Sequence, residues 1–138
     1  MLRPFHLAFP VRDIESTRTF YRDVLGATVG REDVRWIDFN FFGHQISAHV
    51  TEDRDEDLTN AVDGDRVPVR HFGVVLRWED WESLASSVAE RGVRFLIAPR
   101  IRFEGQPGEQ GTFFVCDPSG NALEFKTFRD DRSLFATE

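Results

Sequence analysis

The order strand, helix, strand, strand, strand runs along this chain twice, and that repetition limits its fold more than any single motif. Residues 4–11, PFHLAFPV, set Phe5, Leu7, Phe9 and Val11 against His6, Ala8 and Pro10, the two-residue period of a strand. Asp13 then stands where a helix N-cap is needed. Ile14, Phe20, Tyr21 and Val24 supply the apolar stripe of a helix that Gly26 ends. Strand-like runs follow at 27–31, 34–41 and 44–50, the last two divided by a turn at Gly43. The order restarts at Val69 with a strand over 69–77 and a helix over 79–91 that stops at Gly92. Strand-like runs recur at 94–98, 112–116 and 121–127.

Spacing marks the two runs as copies. His6 precedes Gly26 by 20 residues and His71 precedes Gly92 by 21, and each final strand follows a glycine, Gly43 or Gly120. A duplicated β-α-β-β-β unit predicts an α+β fold in one domain, with module 1 over about 4–50 and module 2 over about 68–128. Between them lies a linker over 51–67, and a C-terminal tail covers 129–138. The second copy alone carries a longer loop, 102–111, holding Gly105, Pro107, Gly108 and Gly111. Such loops in small domains often carry function, so Arg102, Glu104, Glu109 and Gln110 are candidate substrate contacts or lid residues. A plain surface excursion fits the same residues equally well.

Composition narrows the partners. The chain has 138 residues with 24 acidic and 17 basic side chains, a formal net charge of -7. That acidic surface repels phosphate backbones, so nucleic acid is excluded as a partner, and no Lys/Arg block offers an anionic membrane a landing site. The densest acidic run, 52–57, lacks the glycine and the spacing of an EF-hand loop and reads as a solvated linker. Cys116 is the only cysteine, which excludes an intrachain disulfide. No secretory leader is evident, and no apolar run approaches the roughly 20 residues of a membrane helix. The expected location is the cytoplasm. Fourteen Phe make the chain unusually aromatic; most belong in a core, and some can line a cavity.

Strand parity turns the repeat into chemistry. If Phe5, Leu7 and Phe9 face the helices, His6 and Ala8 face away; if Phe72, Val74 and Leu76 do, His71, Gly73 and Val75 face away. In the last strand Leu123 and Phe125 belong to the core, which sends Ala122, Glu124 and Lys126 to the opposite face. A carboxylate inside a run as apolar as ALEF needs a reason, because an unpaired buried charge is costly. Two imidazoles and a carboxylate on equivalent faces predict a three-ligand site, His6, His71 and Glu124, with coordination positions left open for water and substrate. Fe(II), Mn(II), Ni(II), Co(II) and Zn(II) all suit those donors.

The stretches FHLAFPVRDIESTRTFYRDVLG, VRHFGVVL and FFVCDPSGNALEFK resemble the vicinal oxygen chelate superfamily. That group includes glyoxalase I, bleomycin- and fosfomycin-resistance proteins, methylmalonyl-CoA epimerase and extradiol dioxygenases. The resemblance covers about Pro4 to Phe128, and FYRDVLG and DPSGNALEF are its most specific pieces. It implies two curled mixed sheets around a metal cavity, with His6, His71 and Glu124 on the family's ligand positions. A small-molecule substrate and a homodimer are implied as well.

One departure bears on activity. Aligning Gly43 with Gly120 sets Ser47 opposite Glu124, where glyoxalase-type isomerases carry a further carboxylate. Serine is a poor ligand. The remaining three-donor set resembles the extradiol dioxygenases, in which Fe(II) takes a catecholic substrate and O₂, and also the fosfomycin-resistance enzymes, although the chain shows no compact set of Lys and Arg for a phosphonate and glutathione. His49 or Tyr21 are then the candidates for handling the proton. Gln45 and Ser47 share the His49 face and are candidate substrate contacts, whereas His44 has the opposite parity and reads as a turn residue. Three functions stay open: a ring-cleaving dioxygenase on a small aromatic or oxygen-chelating substrate, a glyoxalase-type isomerase or lyase, and a protein that binds a drug or metabolite without chemistry.

Overall fold

The computed structural model describes residues 2–52 and 59–137, which fall into two units. The first holds 2–52 together with the turn Asp117–Asn121; the second holds 59–116 and 122–137. Apart from Glu52, the acidic run 52–57 lies outside the described residues.

In the first unit β1 (His6–Val11) is followed by α1 (Ile14–Thr19), β2 (Thr28–Glu32), β3 (Trp36–Phe41) and β4 (His44–Val50). The strands form one curled sheet in the order β1-β4-β3-β2, parallel between β1 and β4 and antiparallel elsewhere. Asp13 caps α1 as its position predicts: its Oδ1 accepts from Ser16 N–H at 2.8 Å while its backbone stays extended. The helix runs on over Phe20–Val24 as a wider π-helical turn, closed by Leu25 N–H on the Phe20 carbonyl at 3.2 Å. Both Phe20 and its neighbour Tyr21 are buried from this turn, their rings meeting edge to face at 5.2 Å. Tyr21 also packs against Phe9 at 5.6 Å and Phe39 at 5.2 Å. Phe9, Val11, Ile37, Phe39, Phe41, Ile46 and Ala48 thus make the core, and the strand parity read from the sequence holds there. Phe5 is the exception. It precedes β1 and is 65% exposed.

The second unit repeats the plan. β7 (Phe72–Val75), α2 (Trp78–Glu90), β8 (Phe95–Arg102), β9 (Gln110–Cys116) and β10 (Ala122–Phe128) give a second curled sheet in the equivalent order β7-β10-β9-β8. Trp81, Ala85 and Val88 of α2 are buried, and the Trp81 indole N–H donates to the Phe125 carbonyl at 2.9 Å. Phe113 stacks on Phe125 at 5.2 Å beneath that helix.

Three expectations are corrected. The strand expected over 69–77 is only Phe72–Val75, because 69–70 bend after Pro68. The stretch read as a linker contains a hairpin, β5 (Thr59–Val62) and β6 (Asp65–Pro68), turned by Asp63-Gly64, both at positive φ. Arg102 is not on the inserted loop: it ends β8 and is 3% exposed. Beyond β10 the tail forms a short 3₁₀ turn over Asp131–Phe135. Among the described residues no helix is long and apolar enough to cross a membrane.

Candidate functional site

His71 and Glu124 meet on the face of the second sheet turned away from α2. The His71 Nε2 lies 3.2 Å from Glu124 Oε1. The close approach is built into the backbone, since β7 pairs with β10 at Gly73 opposite Glu124, and a Cβ on Gly73 would stand 1.6 Å from the Glu124 carbonyl oxygen. Only glycine lets the strands lie this near one another. Thr112 on β9 donates its hydroxyl to Glu124 Oε2 at 2.6 Å, which orients the carboxylate and leaves Oε1 to face His71.

The other His71 nitrogen, Nδ1, is 2.7 Å from the Pro68 carbonyl at the end of β6. A carbonyl oxygen only accepts, so Nδ1 carries a hydrogen. In the neutral ring the Nε2 lone pair then points at Glu124 Oε1, acceptor against acceptor. The gap calls for a proton or another cation. The hydrogen bond with Glu124 raises the His71 pKa above its ordinary value, against the opposing effect of burial. Burial works to raise the Glu124 pKa. The bonds from His71 and Thr112 and the Lys126 charge outweigh it, so the carboxyl titrates below the usual range. An imidazole with its distal N–H tied to a carbonyl, beside an ionised carboxylate, fits a divalent metal by donor chemistry.

The first unit places His6, Gln45, Ser47 and Asp38 on the corresponding face. His6 pairs in register with Gln45, and Ala8 with Ser47, between β1 and β4; Asp38 pairs with Ser47 between β3 and β4. His6 Nδ1 is 2.9 Å from Gln45 Oε1, Gln45 Nε2 is 3.5 Å from Asp38 Oδ2, and Ser47 donates to Asp38 Oδ1 at 2.6 Å. Position by position the units match. Ala8, two residues after His6, is the register mate of Ser47, and Gly73, two after His71, is the register mate of Glu124. Ser47 and Glu124 are thus equivalent, as the sequence alignment of the halves predicts. Within either unit, among the described residues, no three His, Cys, Asp or Glu side chains gather around one point.

The remaining candidates divide. His49 is exposed on the Gln45 and Ser47 face, while His44 accepts from Phe5 N–H at 2.8 Å beside the Gly43 turn. Tyr21 is fully buried, and its hydroxyl donates to Asp117 at 2.9 Å, a structural tie. Burial raises the Asp117 pKa, opposed by hydrogen bonds from Asn121, Tyr21 and Ser119. Arg102 donates to the Val62 carbonyl and to Asp65, and Arg100 to Asp63 and Asp65, so both hold the β5–β6 hairpin. Glu109 accepts from Gly105 N–H and Arg129, bracing the 103–109 loop, and Gln110 donates to the Gly108 carbonyl. Glu104 lies in that loop and is exposed.

Three participants were missed at the level of sequence: Asp38, Thr112 and Pro68. Asp38 had a signal, for WIDFNF puts an acid out of phase with Ile37 and Phe39 just as ALEF does for Glu124. Pro68 had none, since a backbone carbonyl belongs to every residue.

Two curled sheets of identical strand order, each built from a β-α-β-β-β copy, define a duplicated-module α+β protein. The chain belongs to the glyoxalase/bleomycin resistance protein/dioxygenase superfamily, whose family model matches residues 3–125. It is similar to a glyoxalase/bleomycin resistance protein/dioxygenase from Alicyclobacillus acidocaldarius, at 35% identity over 96% of each chain with a TM-score of 0.83. The fold is shared with a genomically encoded fosfomycin resistance protein from Listeria monocytogenes at 16% identity, over 96% of this chain and 98% of that one, with a TM-score of 0.69. A glyoxalase/dioxygenase from Nostoc punctiforme also shares it, at 16% identity over 93% and 92% of the two chains, with a TM-score of 0.66. No protein of curated function matches the chain.

Proposed function

We propose that this chain is a metal-dependent enzyme acting on a small aromatic or oxygen-chelating substrate, with ring-cleaving, extradiol-type dioxygenation as its reaction. Its metal ligands are His6, His71 and Glu124. The observation that carries the reading is the His71–Glu124 pair, in which the ring Nε2 and a carboxylate oxygen face one another at 3.2 Å with Nδ1 tied to the Pro68 carbonyl. Superfamily members commonly use divalent metals, bind small molecules and often form dimers, and a homodimer is the expected working form. Divalent iron, when bound, supplies Lewis acidity and one-electron chemistry toward a catecholic substrate and O₂. The chain's own residues do the rest: Thr112 orients Glu124, Pro68 orients His71, and exposed His49 stands as the group that holds or passes a proton.

Ser47 favours the dioxygenase reading, because its hydroxyl is committed to Asp38 and adds no carboxylate at the position equivalent to Glu124. A glyoxalase-type isomerase is the second reading. It is supported by the Asp38 carboxylate itself, which lies on the Ser47 face. Anaerobic purification with elemental analysis, followed by oxygen uptake on a panel of catechols, separates the two. Stoichiometric iron with uptake is the expected result. Zinc or nickel without uptake moves the assignment to an isomerase or lyase. Glu124→Gln is expected to lose most of the metal affinity while the protein stays folded, and metal retained at full occupancy would remove Glu124 from the ligand set.

A further inference from the structure

His6 and His71 both have Nδ1 engaged, yet by different means. In the second unit a backbone carbonyl, that of Pro68, takes the His71 Nδ1 hydrogen. In the first unit His6 faces a side-chain amide, which can present either its oxygen or its NH₂ to the ring. A Gln alone would therefore leave the tautomer of His6 open. Something else must orient Gln45.

Asp38 supplies that orientation. Its carboxylate is mostly buried, at 9% exposure, on β3. Its Oδ1 accepts from Ser47 at 2.6 Å, and its Oδ2 stands 3.5 Å from Gln45 Nε2. A carboxylate only accepts, so it selects the amide rotamer whose NH₂ points toward β3. That rotamer aims Gln45 Oε1 at His6, an acceptor that Nδ1 can satisfy only by carrying the hydrogen, across 2.9 Å. The lone pair is thereby left on Nε2. Three strands, β3, β4 and β1, pass the polarity along one face without a proton having to move.

We propose that Asp38 is a positioning residue for His6: acting through the Gln45 amide, it fixes the imidazole in the Nδ1–H tautomer and presents Nε2 as a donor to a divalent cation. The presented nitrogen serves the metal reading proposed above and rests on it, but the tautomer is a property of the metal-free chain and is measured there. A buried acid opposite Ser47, where the other unit has Phe114 opposite Glu124, has this use through its contacts with Ser47 and Gln45.

The experiment is long-range ¹H–¹⁵N correlation spectroscopy of the metal-free protein labelled at histidine, which reads the tautomer of the His6 ring directly. Wild-type His6 is expected as Nδ1–H. In Asp38→Asn the new amide N–H attracts Gln45 Oε1, the Gln45 amide turns over, and His6 shifts toward the Nε2–H form. Ser47→Ala removes the same buried hydrogen bond to Asp38 but leaves the carboxylate facing Gln45, so His6 keeps Nδ1–H. A purely structural Asp38 would make these two variants behave alike, and an unchanged His6 tautomer in Asp38→Asn overturns the proposal. Should Asp38→Asn fail to fold, Gln45→Leu at its exposed position decides: persistence of a fixed Nδ1–H form there is equally fatal. Mn(II) titration of the same samples is expected to show about 10-fold weaker binding in Asp38→Asn. Wild type that shows the Nδ1–H tautomer and binds no Mn(II), Fe(II) or Zn(II) overturns the metal reading while upholding the relay.

Discussion

At the scale of single residues, the His71–Glu124 pair ties stability to pH in a direction the structure determines. The His71 pKa lies above its ordinary 6.5 in the folded chain, so its share of stability is complete below about 6.5 and is lost as pH rises through the raised value. The Glu124 pKa lies below its ordinary 4.5, so its share is complete above about 4.5 and is lost as pH falls through the lowered value. Metal-free protein is therefore expected to show a plateau between those limits in its urea midpoint, with a decline on the alkaline side that His71→Gln removes. An alkaline slope of the same size in His71→Gln would show that the pair contributes nothing. Divalent metal must displace the His71 proton, so its apparent affinity rises with pH over the same alkaline range. The sequence disclosed both partners of this pair through parity alone. It disclosed Gln45 and Ser47 only as a shared face. Asp38 obeys the same parity rule, but its equivalent in the second copy is Phe114, so the repeat gives it no acidic counterpart.

At the scale of elements, legibility followed hydrophobic contrast. β4 was read to the residue, since HQISAHV is bounded by Gly43 and alternates cleanly, whereas β7 was read too long because its apolar run VRHFGVVL continues past both ends of its pairing. The β5–β6 hairpin was lost in a polar setting. Its Asp63-Gly64 step between short strand-like runs was a usable turn signal, and Val67 on β6 is buried with Ile97 and Phe114. That hairpin matters to the site, for Phe114 is the register mate of Glu124 and Pro68 ends β6. The close approach of β7 to β10 at Gly73 yields a sharp expectation. Gly73→Ala forces a Cβ into backbone, not into a side chain that could turn aside, and is expected to cost about 3 kcal/mol, read as a fall in the unfolding midpoint. Because β7 carries the chain on from His71, the variant should also weaken metal binding. Wild-type stability in Gly73→Ala would mean that the strands separate more easily than their pairing implies.

At the scale of the whole molecule, the duplication is visible twice, once as repeated sequence spacing and once as two sheets of identical order. The copies are not independent, however. The turn Asp117–Asn121, which lies between β9 and β10 in the chain, belongs with the first unit. There Asp117 accepts from Tyr21, Asn121 donates to the Pro10 carbonyl at 2.7 Å, and Ser119 accepts from Arg12 N–H at 2.8 Å. Tyr21→Phe leaves Asp117 buried with one donor fewer and is expected to destabilise by about 1–3 kcal/mol in chemical denaturation. A loss near zero would show that the remaining donors suffice. The returning turn also has a meaning for synthesis. On the ribosome, residues 2–52 emerge first, but the carboxylate that receives the Tyr21 hydroxyl arrives only after 59–116 have been made. The first unit therefore cannot be completed until the chain has been made through Asn121.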